Sequence, residues 1–186
     1  MDSKPEVVSS LINYIPPVNF ATRIRVLLRH VPREYLSGID SITLTHTGRL
    51  SRSGRRKKIH GREGKLYRLA DALAYYQRAS MQNPARISVF VDSICDAWTP
   101  FVLRLPIAGY CVLAEILHHE IGHHIHATMK PELGDPETIA EKWKRKLTNK
   151  FIYGHYWYLM PFLFIAASFV QVWKFFFKRS RNLQNS

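Results

Sequence analysis

Apolar positions recur at two different periods along this chain. From Val7 to Ile15 they fall at helical spacing, and Pro16-Pro17 closes the segment. Val18, Phe20, Ile24, Val26, Leu27 and Leu28 predict a second core helix, ended by Val31-Pro32. The period then changes to two. Ile39 to His46 alternates apolar and polar residues and is rich in β-formers, so it predicts a half-buried strand. Thr47 to Lys65 is polar and predicts a loop, and Leu66 to Ala79 fits helix and strand equally well. Ala85 to Asp92 is the best strand in the chain. Cys111 to Ile125 comes after it, contains no proline, and predicts one continuous helix.

A breaker segment comes next. Lys130 to Pro136 carries two prolines and a glycine, which stop one helix and turn the chain. Asp135 is placed to cap a new helix, with Pro136 at its first position and Glu137 in its first turn. That helix continues through Leu147. The elements together predict an α+β domain over residues 1–150: a small sheet, one long helix and a second helix returning along it.

The long helix contains His118-His119-Glu120-Ile121-Gly122-His123-His124, an instance of H-E-x-x-H. Residues four apart lie one turn apart on the same helix face. Two stacked imidazoles can therefore each place a ring nitrogen at about 2.0–2.1 Å from one zinc ion. Glu120 is rotated by about 100° from His119, which leaves it outside the ligand set but within reach of a water held there. A carboxylate beside such a water is a general base. The helical hairpin can bring Glu137 back as a third ligand, and Asp135 and Glu132 in the turn remain open as alternatives. Glu141, one turn after Glu137, is placed to accept the ring N–H of a ligating histidine. His118 and His124 point to other faces, toward solvent or a supporting role. His126 lies about 10 Å along the axis from His119, too far to share its metal easily.

H-E-x-x-H, a turn, and then Glu137, Ala140, Glu141 and Trp143 in an E-x-x-A-[D/E]-x-[W/F] pattern resemble the gluzincin metallopeptidases, the thermolysin-like clan. The chain is most similar to their compact single-domain members, the minigluzincins. About 25 residues carry the resemblance strongly, and a weaker likeness reaches back to about Asn13. An aspartate is more usual at the position of Glu141. The metzincin pattern does not fit, because it needs glycine and histidine where this chain has His126 and Met129. The resemblance implies Zn2+ held by His119, His123 and Glu137, with Glu120 as the catalytic base for peptide-bond hydrolysis. It also implies that the strand at Ala85 to Asp92 is the sheet edge above the cleft, where extended peptide adds as a further strand.

Composition changes the picture at the second half of the chain. There are 27 Lys and Arg against 14 Asp and Glu, a formal net charge of +13. Every acidic residue lies at or before Glu141, and nine basic residues come after it. Such asymmetry marks an anionic partner, either a membrane surface or nucleic acid. The basic run Arg49 to Lys65 has no interleaved aromatic residue to stack on bases, which favours lipid headgroups or solvent over nucleic acid. Cys95 and Cys111 form no C-x-x-C and read as reduced, buried residues.

Phe151 to Trp173 has 23 residues without a formal charge. As a helix it spans about 35 Å, enough for a bilayer core of about 30 Å. Tyr153, Tyr156, Trp157 and Tyr158 stand at one end and Trp173 at the other, and basic residues flank both. The sequence therefore predicts a C-terminal membrane helix over 151–177 and a basic, disordered tail over 178–186. Met1 to Glu6 shows no basic region leading into an apolar run, so the predicted topology is single-pass with the catalytic domain in the cytoplasm. The expected partners are a peptide or protein substrate and an anionic lipid surface. Two other classes remain: a non-enzymatic membrane protein whose helix hairpin merely packs, and a basic nucleic-acid-binding protein.

Overall fold

The computed structural model describes residues 4–12, 14–60, 66–129 and 134–159. The chain divides after Phe151. Four strands before that division form one sheet: β1 (Glu6–Ser9), β2 (Ile39–Thr45), β5 (Ala74–Gln77) and β6 (Ala85–Phe90), in the order β1-β2-β6-β5. β1 and β6 each run parallel to β2, while β5 runs antiparallel to β6. A separate antiparallel pair is made by β3 (Lys58–His60) and β4 (Leu66–Arg68). The helices are α1 (Phe20–His30), α2 (Arg52–Arg56), α3 (Val91–Ala97), α4 (Pro100–Arg104), α5 (Pro106–Met129) and α6 (Pro136–His155). The α+β class and the small sheet are those the sequence predicts.

The central strands bury alternate side chains. Ile42 and Leu44 of β2 and Ile87 and Val89 of β6 are all buried, as the two-residue period requires. The β2–β6 register shifts between Ile39 and Ser41, and at that irregularity the exposed Asp40 pairs with Arg86 at 3.5 Å. Phe20, Ile24, Leu27 and Leu28 form the buried stripe of α1, whose first turn is capped by Asn19 through the Thr22 amide at 2.9 Å. α5 contributes Leu113, Leu117, Ile121 and Ile125 to the core. Burial on most sides of α5 also corrects one expectation. His118 and His124 do not face solvent; they are 0 % and 1 % exposed. His118 accepts or donates through Nδ1 to Thr148 at 3.0 Å, and burial holds its pKa down to about 3, with His30 adding to the effect.

The segment Val7 to Ile15 is a strand at its start rather than a helix. Val7 and Val8 pair with Ile42 and Thr43 of β2, whereas Ile12 and Ile15 are exposed, at 60 % and 95 %. A helix closed by Pro16 would be too short to persist on propensity alone, and the open side of β2 satisfies the β-branched pair better. The polar stretch after Thr47 holds α2 and β3 as well as loop.

The expected membrane helix is corrected at its start. Phe151 is 0 % exposed and is the last buried residue of α6. α6 ends at His155, and a 3-10 turn occupies Trp157–Leu159. Among the described residues no helix is long and apolar enough to cross a membrane. The rest of the expected span and the basic tail, from residue 160 on, lie outside the described residues.

Candidate metal centre

The hairpin of α5 and α6 is built by local chemistry. Gly134 takes φ 75°, a left-handed conformation that glycine adopts without a steric penalty. Asp135 then caps α6: its Oδ2 accepts the Thr138 amide at 2.8 Å and the Thr138 hydroxyl at 2.9 Å. Those two bonds hold the Asp135 carboxyl below its ordinary pKa. Asp135 is thus engaged in the cap through Oδ2. Glu132 lies outside the described residues.

His119, His123 and Glu137 converge. His119 Nε2 and His123 Nε2 are 3.2 Å apart. Glu137 Oε2 is 3.5 Å from His119 Nε2, and Glu137 Oε1 is 3.4 Å from His123 Nε2. An ion bound tetrahedrally at about 2.0–2.1 Å separates its ligand atoms by about 3.3–3.4 Å. The His119–His123 spacing is close to that requirement; Glu137 meets the two rings through different oxygens, and with one atom taken from each residue the three lie within 4.8 Å of one another. These three residues can hold a metal ion, each through one ligand atom. Burial, with His119 and His126 nearby, pushes the His123 pKa down to about 4. At neutral pH its ring thus carries no charge and offers a lone pair, so its approach to Glu137 is not an ordinary ion pair.

Glu120 is 8 % exposed. Its Oε2 accepts the backbone N–H of Tyr76 at 2.7 Å. Burial raises its pKa to about 8; the Tyr76 bond lowers it and the neighbouring Glu137 charge raises it further. Tyr76 is bound twice to α5, because its hydroxyl also reaches His124 Nδ1 at 3.0 Å. His124 Nε2 in turn donates to the carbonyl of Ser37 at 2.8 Å, which fixes the tautomer and leaves Nδ1 to accept from Tyr76.

The strand beside the site is β5, not the one the sequence pointed to. β6, the Ala85 strand, lies between β2 and β5 and has both edges paired. β5 is the edge. The Phe90 amide donates to the Leu73 carbonyl at 2.9 Å and the Tyr76 amide points to Glu120. The antiparallel alternation therefore turns the backbone groups of Ala74 and Tyr76 away from β6. The physical reason is that β2 and β5 pair with the two edges of β6 and leave it none to offer. The sequence carried no signal for the Tyr76 amide, because a backbone donor has no residue signature.

A cleft of about 880 Å³ opens between this edge and the two helices. His119, Glu120, His123 and Glu137 line it, together with Tyr75, Tyr76, Trp98, Val112 and Ile116. His126 lines it too, but the group that meets the metal-spacing requirement is His119, His123 and Glu137. Glu141 also lines the cleft and pairs with Lys144 at 2.9 Å and Arg145 at 3.4 Å. Comparison with known protein families, with curated proteins and with solved structures finds no match for this chain.

Proposed function

We propose that this chain is a zinc metallopeptidase of the gluzincin type, with His119, His123 and Glu137 as the zinc ligands and Glu120 as the general base. Two imidazoles and one carboxylate are the donor set of many catalytic zinc sites. A zinc ion held there would supply Lewis acidity and lower the pKa of a water in its open position. The rest of the chemistry belongs to the chain. Glu120 removes a proton from the attacking water as its oxygen bonds to the peptide carbonyl carbon. It then delivers that proton to the nitrogen as the C–N bond breaks. The Tyr76 amide orients the Glu120 carboxylate through Oε2. The backbone of Ala74 and the Tyr76 carbonyl, turned away from β6, offer an extended peptide an edge to pair with, while the Tyr76 amide stays on Glu120.

The observation that carries this reading is the combination in one cleft of three convergent ligand atoms and a buried carboxylate anchored by the strand edge. A packing hairpin does not need the latter. The test is Glu120→Gln in zinc-loaded protein, assayed on a mixed peptide library. Zinc content should be retained, because Glu120 lies outside the ligand group. Cleavage should fall by about 10²–10⁴-fold. Cleavage at the wild-type rate would overturn the assignment.

The apolar, uncharged run after α6 supports membrane association of the same chain.

A further inference from the structure

The two walls of the cleft differ in charge. On the α5–α6 wall, Glu115 and Glu141 are both bridged by Lys144, at 3.3 Å and 2.9 Å, and Arg145 adds a second cation to Glu141 at 3.4 Å. Glu120 and Glu137 line that wall as well, and Lys144 is its one lysine among the lining residues, so that wall is the acidic one. On the strand wall stand Lys57, Lys58 and Arg78. All three are exposed, and among the described residues none is paired with a carboxylate. Lys57 is held in place by a neutral partner: its Nζ lies 3.0 Å from the Tyr75 hydroxyl and 4.9 Å from the ring centroid. That contact orients the ammonium along the β5 edge and leaves its charge unneutralised.

Arg78 lies two residues after Tyr76, roughly 7 Å further along the strand direction. Tyr76 is level with Glu120 through its amide. A peptide laid along β5 would therefore bring the side chains nearest its cut bond to the strand-wall cations. We propose that the cleft selects peptides carrying an acidic side chain within about two residues of that bond, and that Lys57, Lys58 and Arg78 determine this specificity. The position of the bond rests on the metallopeptidase reading; the charge selection rests on the two walls.

The cations are exposed, so each contributes modestly and is screened by salt. Together they should favour an acidic peptide over its lysine counterpart by about tenfold at low ionic strength. The test uses two fluorescein-labelled peptides of identical apolar residues, one with two glutamates and one with two lysines. Binding to zinc-loaded Glu120→Gln protein is measured by anisotropy, alongside a library digest by the wild type. The acidic peptide should bind more tightly, and the digest should show Asp and Glu enriched beside the cut. The double variant Lys58→Glu, Arg78→Glu should lose or invert the preference with its zinc content unchanged.

Equal binding of the two peptides, or a preference untouched in the double variant, would overturn the proposal. If that variant does not fold, the wild-type preference decides: one that does not shrink when salt rises from about 20 to 300 mM is not electrostatic and also overturns it. Displacement of the acidic peptide by an oligonucleotide that binds more tightly would assign the patch to nucleic acid instead. An acidic preference in binding without any cleavage in the digest would uphold the selection and refute hydrolysis.

Discussion

Gly122 of α5 lies directly against the backbone of Ala140 in α6. A Cβ on Gly122 would stand 2.7 Å from the Ala140 carbonyl oxygen and 2.8 Å from its Cα. His119 and His123 flank the glycine in sequence, and Glu137 lies one turn before Ala140. The close helix contact therefore sets the distance at which the Glu137 carboxylate meets the two imidazoles.

Gly122→Ala should force the helices apart, because neither backbone can yield. Overpacking of this kind costs about 1–3 kcal/mol. The diagnostic effect is on metal: zinc affinity should fall although every ligand is retained. Isothermal titration checks it, and unchanged affinity would show that the contact does not set the ligand geometry.

Glu137→Gln keeps the shape of the side chain and removes its charge. Zinc affinity should drop by more than the roughly 10–100-fold expected for loss of a supporting residue. The fold should persist, since the cap of α6 is made by Asp135. Competition with a chromogenic chelator measures the affinity. Wild-type affinity in the mutant would return the third ligand to another residue.

Tyr76→Phe deletes the hydroxyl that meets buried His124 Nδ1. A buried acceptor left without its donor costs about 1–3 kcal/mol. Urea denaturation should show that loss, while zinc content stays near one per chain. No change in midpoint would mean that the Tyr76 hydroxyl does not help to hold β5 on α5.

Stability of the metal-free protein should peak near neutral pH. His118 and His123 titrate at about 3 and about 4 in the fold, against about 6.5 unfolded. Between those values the unfolded chain binds more protons, so stability rises with pH. Glu120 acts in the opposite sense: its pKa of about 8 in the fold exceeds its unfolded value of about 4.3. Its contribution is present at low pH and is lost as pH rises toward 8. Together with His124, whose pKa burial also lowers, these histidines outweigh the one carboxyl below neutral pH, so stability rises with pH there. Above it, Glu120 dominates. Urea titrations across pH 4.5–8 should give this maximum, and Glu120→Gln should flatten the alkaline side. A monotonic rise to pH 8 in the wild type would contradict the assigned burial of Glu120.

Truncation after Leu159 should release the protein from membranes, while the full chain should resist carbonate extraction. The truncated protein should keep its zinc. Full release of the intact chain by carbonate would remove the membrane anchor from the proposal.

The sequence by itself determined the elements whose causes are local. The α5–α6 hairpin was legible because Pro131, Gly134 and Pro136 stop and turn the chain, Asp135 caps the second helix, and a spacing of four puts His119 and His123 on one face. Strands β2 and β6 were legible from alternation alone. Tertiary structure decided matters of pairing and enclosure. Val7 and Val8 are strand because β2 has an open edge for them, and no pattern within nine residues announces that edge. β6 is central and β5 is the edge because of strand order, which the period of a single strand does not contain. His118 and His124 are buried because neighbours cover α5 on faces that its own sequence marks as polar. The Tyr76 amide reaches Glu120 across 44 residues of sequence, through a backbone group that every residue but proline possesses.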